Sequence, residues 1–251
     1  MIHNTNSIFK RHAALVHTET QALCVTPSPE INLFDGIPPD WVADKSLIFR
    51  GKALLNELPS ELRHLFNAVF SDQERFKRFC TVPSSLKGHH AEINGNLKHT
   101  IETAEGIKSL CLNKPYANKG IAVLAALLHD AGKADEYCRH PNGYWLLTDR
   151  GKLLGHKTTN IEWILVAKEK WHVQISEPQY FSLLHALTAI PYAPPWMGLR
   201  ALVTPEANLL SMADRLSGQH YLYLNNSAAA GGWGHFHEHL KFKPYTVVEK
   251  G

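Results

Sequence analysis

The residues best suited to chemistry in this 251-residue chain are its sixteen histidines and a few carboxylates near them. Neutral imidazole is the commonest metal ligand near neutral pH. The sharpest signal is Leu127-Leu128-His129-Asp130-Ala131-Gly132-Lys133, where an imidazole and a carboxylate stand side by side after the apolar run Ile121 to Leu128. Burying that pair costs several kcal/mol unless something compensates, and a metal ion compensates efficiently. Hydrogen bonds to neighbouring helices are the alternative. The pair has company: His99 lies upstream, and His156, His185 and Asp214 follow, with 26 to 30 positions between successive candidates. That is about one helix and one loop, so in a bundle each helix aims one ligand at a shared interior point. A nitrogen and oxygen set without thiolates suits one or two divalent ions (manganese, iron, cobalt, nickel, zinc or magnesium) better than a structural zinc finger.

The elements that must position these groups read as mostly helical. Residues 1–52 are irregular, with Pro27, Pro29, Pro38 and Pro39 punctuating short apolar pieces, and two short strands are expected at Ala22 to Val25 and Ser46 to Phe49. From Lys52 onward apolar residues recur every three or four positions as in an amphipathic helix or helix pair, with a fresh start after Pro59. Asn94 to Leu112 carries Leu97, Ile101, Ala104, Ile107 and Leu110 on one face. Lys119 to Lys133 is apolar nearly all round, which makes it the central helix, ended or bent at Gly132. Gly143 to Gly151 reads as a turn or hairpin, and helices are expected at 154–171, 178–190 and 205–223. Residues 226–251 form a tail with a loose connector and a terminal strand. The main domain therefore spans 53–225.

The ordered pattern His99, His129-Asp130, His156, His185, Asp214 resembles that of the HD-domain metal-dependent phosphohydrolase superfamily, over roughly Leu58 to Tyr223. Within it, His89-His90 ahead of Gly95-Asn-Leu-Lys-His99, the Ala126 to Lys133 core, Gly151 to His156 and Pro205 to Asp214 are most similar to YhaM-type 3'-5' exoribonucleases. Pro83 to Ala104 is also similar to the HD region of MobH-type conjugative relaxases. The resemblance implies an all-α HD bundle in which His99, His129, Asp130 and Asp214 hold one metal, while His156 and His185 hold a second bridged by Asp130. Two cations clamp a phosphate and lower the pKa of a shared water. Those exonucleases carry an N-terminal OB-fold that grips single strands, where this chain has its irregular segment.

Other residues are candidates by position. Lys133, three residues after Asp130, would lie near the same helical face and neutralise a transferring phosphoryl group; a solvated lysine at a helix end is the plainer reading. His89 and His90 are candidate contacts for substrate or an extra metal, with plain surface residues as the alternative, and Lys157 and Arg215 are candidate phosphate ligands or a charged flank facing solvent. His235, His237 and His239 alternate, so on a strand they would share one face and could chelate, although an exposed tail is the plainer reading. Tyr144, Trp145, Trp163, Trp171, Tyr192 and Trp196 could stack nucleobases, but most read as core or loop packing, Trp163 and Trp171 as core.

Composition narrows the classes. A net charge of +3 gives no bulk argument for nucleic acid. Four dispersed cysteines without a CxxC pair fit a reducing compartment. Mean hydropathy is -0.22, and the longest apolar run is far shorter than the roughly 20 residues of a membrane span. With no secretory signal legible at the start, a cytoplasmic location without a membrane partner is the default. The expected function is a phosphodiesterase acting as a 3'-5' exonuclease on single-stranded RNA or DNA. The alternatives are a nucleotidase or cyclic-nucleotide phosphodiesterase, and a non-catalytic, relaxase-like DNA-processing accessory of conjugation. Self-association into a homo-oligomer stays open.

Overall fold

A computed structural model describes residues 26–247. After a 3-10 turn at Leu33–Gly36, the chain forms α1 (Lys45–Asn56), α2 (Ser60–Val69), α3 (Gln73–Thr81), α4 (Gly95–Leu110), α5 (Lys119–Leu128) and the single turn α6 (Lys133–Glu136). A hairpin of β1 (Tyr137–Arg139) and β2 (Trp145–Leu147) leads to α7 (Asp149–Leu153), α8 (Gly155–Lys170), α9 (Glu177–Thr188) and α10 (Pro205–Asn226); a final hairpin pairs β3 (Gly232–Trp233) with β4 (Tyr245–Thr246). The fold is an all-α bundle.

The helix starts follow local chemistry. Asp44, Asp72, Asn118 and Thr204 each accept a backbone N–H from the first turn of α1, α3, α5 and α10, satisfying donors that a helix leaves unpaired. Pro205 sits at the first position of α10, where its missing N–H costs nothing. Helix α5 is buried on every side from Ile121 to Leu128 and packs against α2, α4, α9 and α10. Uniform hydrophobicity puts it at the centre, and α4 and α10 flank it along the site.

The first part of the chain differs from its expected irregularity. Ser46 to Phe49 is helical rather than a strand, because Asp44 caps Ser46 and the apolar residues Leu47, Leu54 and Leu55 then fall on one buried face. Phe34, Val42 and Leu47 join the same core as Leu127 and Leu210, so there is no structural boundary at residue 52. Phe34 lies beside Phe66 and Phe76, in an aromatic cluster that continues to Phe70 and Phe79. Asn94, in a left-handed conformation, ties this layer to the site helix: its amide donates to Trp41 O and Cys80 O at 2.7 Å, and α4 begins at the next residue. The strand expected at Ala22 to Val25 lies outside the described residues.

Two further boundaries moved. The stretch read as one or two helices after Lys52 is three, broken at Pro59 and at Ser71-Asp72. The central helix stops at Leu128, and residues 129–132 form a turn before α6. Gly132 is required there for close approach: a Cβ would press into the His156 carbonyl oxygen and the Asn160 side chain at the start of α8. The 143–151 turn became the β1–β2 hairpin, and the terminal strand expected in the tail is β4. Trp163 is buried; Trp171 is half-buried against the core.

Candidate metal centre

The turn that ends α5 gathers the site. His99 rises from α4 and is 1% exposed. His129 and Asp130 occupy the turn, His156 opens α8, and Asp214 comes from the middle of α10. The His99 Nε2 stands 3.2 Å from His129 Nε2, 3.1 Å from Asp214 Oδ1 and 3.6 Å from Asp130 Oδ2. One ligand atom each from His99, His129 and Asp214 lies within 4.8 Å of the others, the one such group of metal-ligating side chains among the described residues.

The decisive detail is what the other imidazole nitrogens do. The Nδ1–H of His129 donates to Ala126 O at 2.7 Å, and the Nδ1–H of His156 donates to Glu136 Oε2 at 2.6 Å. His99 Nδ1–H donates to Ser217 Oγ at 3.1 Å, whose own hydroxyl donates to Glu102 Oε2 at 2.9 Å. Each outer bond fixes the tautomer and turns a bare Nε2 lone pair inward. Two bare lone pairs 3.2 Å apart repel unless a cation lies between them. The same gap is what two ligands on one ion would show with metal–nitrogen distances of about 2.0–2.1 Å. The residues fit a divalent metal.

Charge tells the same story. Burial would raise the Asp130 carboxyl, but His129 and Lys133 hold it well below its ordinary value. Asp214 is also held low, the neighbouring imidazoles of His99 and His129 outweighing burial. Burial depresses His99, whereas at His129 the carboxylates of Asp130 and Asp214 outweigh burial and raise it. The centre therefore keeps its carboxylates ionised and attracts positive charge.

Five of the six expected ligands are brought together, and one is not. Asp130 points Oδ2 toward His99 and His129 and Oδ1 toward His156 Nε2, 3.4 Å away, the arrangement of a carboxylate between two groups of ligands. His185 stands outside: its Nε2 accepts the Val203 N–H at 3.1 Å, pinning the loop between α9 and α10. The regular spacing set its helix but not its direction, and the second group holds only His156 and Asp130. Lys133 also differs from its expected place. Its buried Nζ lies 2.6 Å from Asp130 Oδ2 and 3.3 Å from Ser84 Oγ, and it does not line the cleft. A buried ammonium needs a carboxylate, and Asp130 is the one beside it.

His89 and His90 pack behind the centre. The His89 ring lies 4.8 Å from that of His99, and burial with the neighbouring His99 drives its pKa down to about 3, so it is neutral. His90 is buried with Nε2 3.1 Å from Glu102, the carboxylate that also holds Ser217. Neither histidine lines the cleft. Lys157 and Arg215 do: with His129, Asp130, His156 and Asp214 they line a cleft of about 840 Å³. The rings of His237 and His239 lie 5.5 Å apart in the tail, where no group of three metal ligands forms among the described residues.

Residues 96–219 match the family model of the HD domain. That stretch contains all six expected ligands. Such a domain indicates metal-dependent phosphohydrolase chemistry in general. No curated protein and no solved structure matches the chain. Among the described residues no helix is long and apolar enough to cross a membrane.

Sequence reasoning missed the residues that aim the ligands: Glu136, Ser217, Glu102 and Asn160. Asn160 donates to the His129 carbonyl oxygen and accepts the Gly132 N–H at 2.5 Å, clamping the turn from α8. The available signal was chemical, since a ligating histidine requires an acceptor for its second nitrogen.

Proposed function

We propose that the protein is a metal-dependent phosphodiesterase that removes nucleotides from the 3' end of single-stranded RNA or DNA. The observation that carries this reading is the convergence of bare Nε2 atoms and ionised carboxylates on an open cleft, with Lys157 and Arg215 lining it too. His99, His129, Asp130 and Asp214 would hold the first divalent ion, and His156 with Asp130 would contribute to a second. A bound divalent ion supplies Lewis acidity toward a phosphoryl oxygen and activates water.

The remaining work belongs to the chain. Lys157 and Arg215 bind the anionic phosphate and orient it. Glu136 and Ser217 hold the imidazole rings in place, and Lys133 keeps Asp130 ionised. A cleft of about 840 Å³ has the size of a small-ligand pocket, which suits a single terminal nucleotide. The same volume supports the second reading, a nucleotidase that takes free nucleotides.

The test is hydrolysis of bis(p-nitrophenyl) phosphate, of end-labelled oligonucleotides and of a panel of mononucleotides with manganese, comparing the parent with Asp130→Ala. Stepwise release of monomers from the 3' end by the parent alone is the expected result. Turnover of mononucleotides without oligonucleotide cleavage selects the nucleotidase. Stoichiometric metal without cleavage of any substrate overturns both and leaves the relaxase-like accessory.

A further inference from the structure

We propose that this cleft holds a nucleoside subsite in which Tyr192 stacks on the base of the nucleotide whose phosphate sits at the metal centre. This rests on the phosphodiesterase reading for where the phosphate lies. Tyr192 lines the cleft, yet its residue is 98% exposed, and its backbone holds a left-handed conformation at φ 59°. A non-glycine residue in that region is strained, and such strain collects at ligand clamps. The tyrosine gains no burial in exchange.

The loop presenting it is anchored at both ends. The Ile190 N–H donates to Arg200 O at 3.0 Å, and the Val203 N–H donates to His185 Nε2 at 3.1 Å. This anchoring gives His185 a positioning role in place of the ligand role expected for it. Helix α10 lines the same cleft. Asn208, Ser211 and Asp214 follow at intervals of three and all line the cleft. Six residues of helix span about 9 Å, on the scale of one nucleoside measured from its phosphate. Asn208 and Ser211 lie along that span, able to meet ribose hydroxyls or a base edge.

One cleft thus combines metal-ligating side chains with two cations, two polar side chains on the same helix, and an exposed aromatic ring. A nucleoside bearing a phosphoryl group matches that set. It can come from the end of a strand or from a free nucleotide.

Equilibrium dialysis of the protein with saturating manganese tests this through binding of intact probe, using adenosine 5'-monophosphate against ribose 5-phosphate, which lacks the base. The parent and Tyr192→Phe should bind the base-bearing probe about tenfold more tightly, and Tyr192→Ala should lose that preference. Equal binding of the two probes by the parent, or a preference that survives in Tyr192→Ala, overturns the subsite. Competition by a linear oligodeoxynucleotide identifies a strand end as the source; its failure to compete identifies a free nucleotide. Failure of the parent to hydrolyse the phosphodiester dye counts against the enzymatic reading alone, because the dialysis result does not depend on hydrolysis.

Discussion

Lys133→Met isolates the electrostatics of the centre from its ligands. Methionine keeps most of the lysine volume and removes the ammonium that stands 2.6 Å from Asp130, in a pair whose side chains are 10% and 6% exposed. Removing one partner of such a buried pair leaves an uncompensated carboxylate and costs about 3–5 kcal/mol. For a chain of this size that lowers the melting temperature by roughly 6–20 °C. A divalent ion replaces the missing charge and finds Asp130 Oδ2 free, so it should stabilise the variant more than the parent. The assay is urea and thermal unfolding of both proteins, each with chelator and with saturating manganese. The gap between them should be large with chelator and should narrow by at least about 1 kcal/mol with metal. A gap below about 1 kcal/mol with chelator, or one that metal does not change, refutes the idea that Lys133 serves Asp130.

Four other outcomes follow. Ser217→Ala removes the acceptor of the His99 Nδ1–H and should weaken metal binding by about 10–100-fold in a chelator competition, with little change in fold. Glu136→Ala frees the His156 ring and should lower the affinity for a second ion while leaving the first, read by calorimetric titration of manganese. His185→Ala should leave the metal content of the purified protein unchanged and raise hydrogen exchange in the 190–203 loop, which loses its Val203 anchor. Phe34→Ala should cost about 3–5 kcal/mol in urea unfolding, because the ring is buried against Phe66 and Phe76 within the main core.

How far the sequence was legible follows from where each signal is stored. Helix α4 was readable because its apolar residues repeat with the helical period, α5 because it has no polar face, and α10 because a proline opens it. The five residues that converge were readable from an imidazole and carboxylate at the end of an apolar run and from the even rhythm of the others. That rhythm sets which helix carries a side chain but not the azimuth, which is why His185 was grouped with the ligands although it caps a loop amide. Helix α1 was misread because prolines dominate the segment before it, although Asp44 two residues ahead of Ser46 is a capping signal. Ser217 and Glu136 left no periodic trace. The hydroxyl meets His99 across 118 positions, and only packing of α10 on α4 brings them together.

The most direct measurement is anomalous scattering from crystals of protein purified without chelator and soaked in manganese. The account predicts an ion bonded to His99 Nε2, His129 Nε2 and Asp214, with Asp130 beside it. Crystals that hold no ion there, with those imidazole nitrogens hydrogen-bonded to protein groups alone, would contradict it.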